Sequence, residues 1–188
     1  MPMISDAERW DARYETGTAP TIVEPPEIVT THLGHIGVGS TVLDVASGWG
    51  DAGLYLAGRG ATATFADVSF VALDAVTRRA DGLGVTATTL VTDLANAAVP
   101  TGPWDAITCV HYLDRELLPR LGATLSPDGR LVCAIATTTN LERHDRPSAR
   151  FLLESNELPT LVPDLDIVHF SEGWRQNGVF EAWLVATP

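Results

Sequence analysis

The chain has 188 residues, 45% of them hydrophobic, which is enough for one domain with a full central sheet. Its formal charge of −12 argues against nucleic acid as a partner, and all twelve basic residues are arginine, which excludes Schiff-base chemistry and a lysine base. No stretch approaches the roughly 18 apolar residues of a membrane span, and the acidic start lacks the apolar segment of a signal peptide. The expectation is a cytoplasmic protein with no membrane association.

Ser5-Asp-Ala-Glu8 has the spacing of a capping box and predicts a helix with Trp10 and Tyr14 on one face. Those rings either pack on the core or form a flap over a ligand. Residues 17–26 read as a loop, and Pro25 and Pro26 suit the first turn of a helix reaching His35. His32 and His35 are three apart, but no further ligands stand near them in sequence, so no metal site is expected.

Residues 41–45 are a short β-branched run and predict a buried strand. A turn with Gly48 and Gly50 follows, then a helix over 51–59 and a second strand over 61–66. Asp67 comes just after that strand. Strand, Gly-rich turn, helix, strand and carboxylate make half of a nucleotide-binding unit, in which Asp67 can accept both hydroxyls of a ribose. The string Gly48-Trp-Gly50-Asp-Ala-Gly53 matches the dinucleotide fingerprint, which is weak evidence alone. Asp44, four residues before Gly48, would oppose a pyrophosphate. It suits a ligand that carries a sulfonium or ammonium group.

Ser69 caps a predicted helix to about Asp81. A third strand over 85–91 leads into Asp93-Leu94, and 95–104 is turn-like. A fourth strand over 105–110 ends in Val110 and His111. The pattern over 114–125 is helical, with Pro119 in its first turns or at a kink. A turn at 126–129 precedes a fifth strand over 130–136, then the basic cluster Arg143, His144, Arg146 and Arg150. A short helix over 155–161 is followed by strands over 165–170 and 179–186. No helix separates the last two, so they should pair as an antiparallel hairpin. Cys109 and Cys133 lie in apolar strand-like runs and read as buried, reduced thiols.

The string Asp44-Val-Ala46-Ser-Gly48-Trp-Gly50 resembles the acidic-x-Gly-x-Gly-x-Gly motif of class I S-adenosylmethionine-dependent methyltransferases. It departs at the first glycine, which is Ala46. Trp10-Asp-Ala-Arg13-Tyr14, His111-Tyr-Leu-Asp-Arg115, Arg146-Pro and Arg150-Phe-Leu-Leu-Glu154 resemble the small tellurite-resistance and thiopurine type within that class. The resemblance implies an α/β fold: a three-layer Rossmann-like sandwich with a seven-stranded, mostly parallel sheet and an antiparallel C-terminal hairpin. It implies a single domain over 1–188, with 1–26 as a flap over the cofactor, S-adenosyl-L-methionine.

The resemblance also implies site roles. Asp44 lies near the methionine moiety, and Ala46, Gly48 and Gly50 form the turn. Asp67 holds the ribose, Val68 and Leu94 flank the adenine, and Asp93 faces its amino group. Trp10, Tyr14 and Val110 complete the cofactor pocket. His111 is the candidate base, or else simply lines the pocket. Arg146 is the candidate acceptor-binding cation, on a segment that otherwise reads as a solvated face. The expected activity is methyl transfer to a small molecule, with a soft nucleophile (thiol, thiopurine or chalcogen oxyanion) as acceptor. An O- or N-methyltransferase, a nicotinamide-dependent oxidoreductase and a catalytically silent cofactor-binding module are the alternatives.

Overall fold

The computed structural model describes residues 5–188, so the first four residues of the expected flap lie outside the described residues. Seven strands form a mixed sheet, mostly parallel with antiparallel C-terminal strands, as the sequence predicts. The chain divides into two compact units, one up to Ala98 and one over Val99–Pro188. No described helix is long and apolar enough to cross a membrane.

In the first unit, helix α1 (Asp6–Thr16) opens with a reciprocal box: Glu8 N donates to Ser5 Oγ at 3.2 Å and Ser5 N to Glu8 Oε2 at 2.9 Å. None of its residues is buried. Helix α2 (Glu27–His32) ends three residues short of His35, because Leu33 leaves the helical conformation and turns with Ile36 into the core. Strands β1 (Thr41–Val45), β2 (Thr62–Asp67) and β3 (Ala87–Val91) are parallel in the order β3-β2-β1. Strand β2 takes in Asp67, which pairs in register with Val91. Helix α3 (Asp51–Gly58) follows β1. Helix α4 (Phe70–Leu83), capped by Ser69, follows β2 and runs through Gly82 to a left-handed Gly84.

In the second unit, β4 (Trp104–Val110) and β5 (Leu125–Ala136) are parallel, whereas β7 (Phe180–Thr187) is antiparallel to both β5 and β6 (Asp166–Trp174). Their order is β4-β5-β7-β6. Cys109 and Cys133 form no disulfide and are fully buried, in register with one another on β4 and β5.

Three expected elements change here. The 114–125 helix shrinks to α5 (Leu118–Leu121) and a 3-10 turn at Gly122–Thr124. Asp114 Oδ1 accepts from the N–H groups of Glu116 and Leu117, and this local turn competes with a helix start at 114. The 126–129 turn lies inside β5, where the register slips between Trp104 and Ala106. The 155–161 helix is a single 3-10 turn, Leu158–Leu161.

Gly53 fixes how closely α3 sits on the sheet. A Cβ there would lie 2.9 Å from Phe65 Cζ and 3.0 Å from Asp44 Oδ2, and Phe65 is fully buried. Overpacking of this kind costs about 1–3 kcal/mol, more than the ~1 kcal/mol that alanine gains over glycine in a helix. Gly53→Ala should therefore lower the unfolding free energy measured by urea denaturation by about 1 kcal/mol or more.

Candidate functional site

The turn after β1 is built from left-handed residues: Ala46 at φ 49°, Gly48 at 52° and Gly50 at 78°. Ala46 thus adopts the backbone conformation that a glycine would, at a strain of about 1–2 kcal/mol. Asp44 is buried, and its Oδ2 accepts from Gly53 N at 3.0 Å in the first turn of α3. A carboxylate therefore stands at a helix N-terminus that would otherwise offer its N–H groups to a phosphate.

Asp67 ties this turn to the next one. Its Oδ2 accepts from Gly48 N at 2.8 Å and its Oδ1 from Ser69 N at 2.9 Å. Burial raises its pKa above the ordinary carboxylate value. Hydrogen bonds from Ser69, Gly48 and Val68 act in the other direction, and the nearby charge of Asp11 adds to the rise. A carboxylate offers about four lone-pair positions, so acceptor capacity remains for a diol. Ser47 Oγ, inside the same turn, is buried and has no hydrogen-bond partner among the described residues. A buried hydroxyl of this kind, beside Asp67, fits a polar ligand held against the turn.

Helix α1 lies over the turn. A Cβ on Gly48 would come 2.7 Å from Tyr14 Oη. The Tyr14 ring meets Trp49 edge-on at 4.6 Å and stacks with Trp10 at 6.0 Å. The Tyr14 hydroxyl is pushed up to about 12, by burial first and the Asp67 charge second, with Arg13 opposing. It therefore stays a neutral donor. Asp11 Oδ1 accepts from Ser69 Oγ at 2.6 Å and Val71 N at 3.2 Å, which fastens α1 to the start of α4. Arg79 holds the turn from below through the carbonyl of Trp49, Asp51 Oδ1 at 2.7 Å and the carbonyl of Ile22 at 2.9 Å. Neither Asp11 nor Arg79 stands out in the sequence. Each is one charge on an amphipathic helix.

Val68 follows β2 half-buried, and Leu94 is buried just after β3. Asp93 is exposed. Its Oδ1 accepts from Ala95 N at 3.2 Å and its Oδ2 from Asn96 Nδ2 at 2.8 Å, the geometry of a turn cap.

In the second unit Val110 ends β4 half-buried, and His111 follows with a left-handed φ of 57°. His111 Nε2 lies 2.8 Å from Glu181 Oε1; the histidine side chain is 59% exposed and the glutamate 3%. Glu181 was not legible as a site residue. It also accepts from Trp183 Nε1 at 2.8 Å and Asn177 Nδ2 at 3.3 Å. Burial works to raise its pKa, but the hydrogen bonds from His111, Trp183 and Asn177 and the charge of His111 prevail and hold it below the ordinary value.

The basic segment is exposed. Arg143 stacks 3.8 Å from the Trp174 ring, Arg150 lies 4.4 Å from the Phe151 ring, and His144 Nε2 is 2.8 Å from the Gly178 carbonyl. The Arg146 carbonyl accepts from Asn140 Nδ2 at 3.2 Å, while its guanidinium makes no ion pair or hydrogen bond among the described residues.

Residues 42–129 match the model of a methyltransferase domain family. Comparison with curated proteins gives no match. Among solved structures, the chain is similar to TehB from Haemophilus influenzae, at 19% identity and a TM-score of 0.72, over 96% of this chain and 66% of that one. It is similar to a TehB-like SAM-dependent methyltransferase from Corynebacterium glutamicum, at 18% identity and a TM-score of 0.66, over 96% and 95%. A structure described for the conversion of a disulfide bond into a thioacetal group during echinomycin biosynthesis matches at 19% identity and a TM-score of 0.72, over 96% and 91%. At such identities the structural likenesses establish the fold. The family match spans both the left-handed turn and Asp67, and the fold around it is the one these solved methyltransferase structures share.

Proposed function

We propose that the protein methylates a small soft nucleophile, such as a thiol, a thiopurine or a chalcogen oxyanion, with S-adenosylmethionine as donor. The observation that carries the cofactor reading is Asp44 at the N-terminus of α3, because it replaces a phosphate cradle with a negative charge. That arrangement favours a cationic ligand and disfavours a dinucleotide. When bound, the cofactor supplies a methyl group already activated on a positively charged sulfur. The protein's own task is then alignment and exclusion of water.

In this reading Asp67 holds the ribose hydroxyls, the turn at Ala46, Gly48 and Gly50 lets the ligand meet the backbone, and Ser47 Oγ gains its missing partner. Val68 and Leu94 flank the adenine, and Asp93 reaches its amino group by giving up its contact with Asn96. Tyr14 and Trp10 act as a flap rather than as core, a reading supported by the absence of buried residues in α1. Arg146 is the cation offered to an anionic acceptor. A sulfur acceptor is supported by the neighbour described for the disulfide-to-thioacetal conversion.

The cofactor assignment is tested by calorimetry: S-adenosylhomocysteine should bind and NADH should not. Charge-assisted hydrogen bonds are worth about 1.5–3 kcal/mol, so Asp67→Ala should weaken binding by roughly tenfold to a hundredfold. Hydroxyl donors favour the ionised carboxylate, so affinity should fall as pH drops through the raised pKa of Asp67, starting above the ordinary carboxylate range. The ligand-free fold should respond with the opposite sign. A carboxyl raised by folding binds more protons in the native state, so its contribution to stability is present at low pH and is lost as pH rises through the folded pKa.

Deleting residues 1–20 should weaken cofactor binding and leave the melting temperature of the ligand-free protein nearly unchanged. A large loss of stability would return Trp10 and Tyr14 to a core role.

Arg146→Ala should raise KM for tellurite several-fold with little change in cofactor affinity. Turnover confined to neutral phenols and amines would refute the soft-nucleophile reading, and no turnover with any acceptor would favour a silent binding module.

A further inference from the structure

Glu181 is a buried carboxylate in a strand that is otherwise apolar apart from the terminal Thr187, and its three donors converge on it from different places. His111 reaches it from the end of β4, Trp183 from two residues along β7, and Asn177 from the β6–β7 turn. Strand β5 lies between β4 and β7, and the β5 residue in register with Glu181 is Ala136. Two strand spacings are about 9.6 Å, and a small residue on the middle strand leaves room for a glutamate and a histidine to bridge them. His111 pays for the contact with a left-handed backbone, a conformation that costs a non-glycine residue about 1–3 kcal/mol and clusters at functional sites.

The arrangement fixes the imidazole. An ionised Glu181 is an acceptor only, so the neutral ring places its proton on Nε2 and donates it to Glu181. Nδ1 is then a lone pair. It makes no hydrogen bond among the described residues, and it belongs to a side chain that is 59% exposed. Another charged group near the pair is Arg175, which stacks 3.8 Å from the Trp183 ring and donates to the Glu181 carbonyl at 3.2 Å.

We propose that Glu181 is the positioning residue that makes His111 a proton acceptor through Nδ1, and that the methyl acceptor arrives as a protonated X–H acid. The X–H bond breaks heterolytically, its proton goes to Nδ1, and its electron pair stays on X; X would then form its bond to the methyl carbon as the methyl–sulfur bond of the donor breaks, that bond's electron pair leaving on the sulfur, which becomes the neutral thioether of S-adenosylhomocysteine. The imidazolium, held by Glu181, returns the proton to water. Among the soft acceptors, the pair serves those still protonated near neutral pH, with alkanethiols as the type, whereas an acceptor that is already anionic needs no such base. The tautomer stands independently; the role of the pair in turnover rests on the methyltransferase reading.

The test has two arms. Long-range ¹H–¹⁵N NMR of histidine-labelled protein, with His111 assigned through His111→Gly, reads the tautomer without any turnover. Wild type should show the Nε2–H form, and Glu181→Gln and Trp183→Phe should show a mixture. Glycine suits the positive φ, so His111→Gly should stay folded. In the second arm, methyl transfer is measured with 2-mercaptoethanol, which is protonated at neutral pH, and with pentafluorothiophenol, which is anionic. His111→Gly should lose roughly 10²-fold in kcat with the first and less than about threefold with the second, and added imidazole should restore the loss. Glu181→Gln should lower kcat at least about tenfold at nearly constant KM, because the imidazole loses the acceptor that fixes its tautomer. Glu181→Asp should recover part of the loss.

An Nδ1–H tautomer in wild type would overturn the proposal. Equal losses with both thiols, or an unchanged kcat in Glu181→Gln, would do the same. Failure to bind S-adenosylhomocysteine would instead sink the methyltransferase reading and leave the tautomer result standing.

Discussion

A carboxylate buried at the end of a strand must be satisfied, and at Asp67 that requirement organises the first unit. The donors available there are backbone N–H groups from two different turns, Gly48 after β1 and Ser69 after β2. Satisfying the charge therefore sets the distance between the turns. A donor or acceptor left unmet in such a place costs about 1–3 kcal/mol, more for a charge, which is enough to hold Ala46 in a conformation that a methyl group resists. The same tie brings the start of α4 within reach of Asp11, so α1 is fastened across the turn by a polar contact and not by a buried apolar face. A cover held in that way is stable without being part of the core.

Glu181 shows the same rule in the second unit, with side chains in place of backbone. Its burial is offset by a histidine, an indole and an amide, and the histidine accepts backbone strain in order to take part. Both carboxylates stand at the carboxyl ends of their neighbouring parallel strands or in register with them. Ligands of open α/β sheets bind at those ends.

Much of this was legible in the sequence because it is local. The β-branched run at 41–45, the glycines of the turn, the carboxylate after the second strand and the helix-free link between the last two strands each identify an element from adjacent residues. The failures share one cause, which is competition that propensity does not register. The apolar spacing over 114–125 looks helical, but Asp114 captures the N–H groups of Glu116 and Leu117 and delays the helix. Ser126-Pro-Asp-Gly reads as a turn, yet the strand absorbs it as an irregularity. Asp11, Arg79 and Glu181 were invisible as site residues because their partners are 58, 28 and 70 residues away. One signal for Glu181 was available: an acid in the middle of an apolar strand, two residues from a tryptophan whose N–H needs an acceptor.

The two cysteines, fully buried and side by side in register on β4 and β5, have a use that their packing role does not suggest. A thiol reagent reaches them only when those strands separate, so the modification rate reads the opening free energy of the second unit directly. The chain has no other cysteine and no lysine, so neither competing thiols nor lysine side chains confuse the signal. The unlabelled protein thus carries its own clock for local unfolding in the sheet that supports His111 and Glu181.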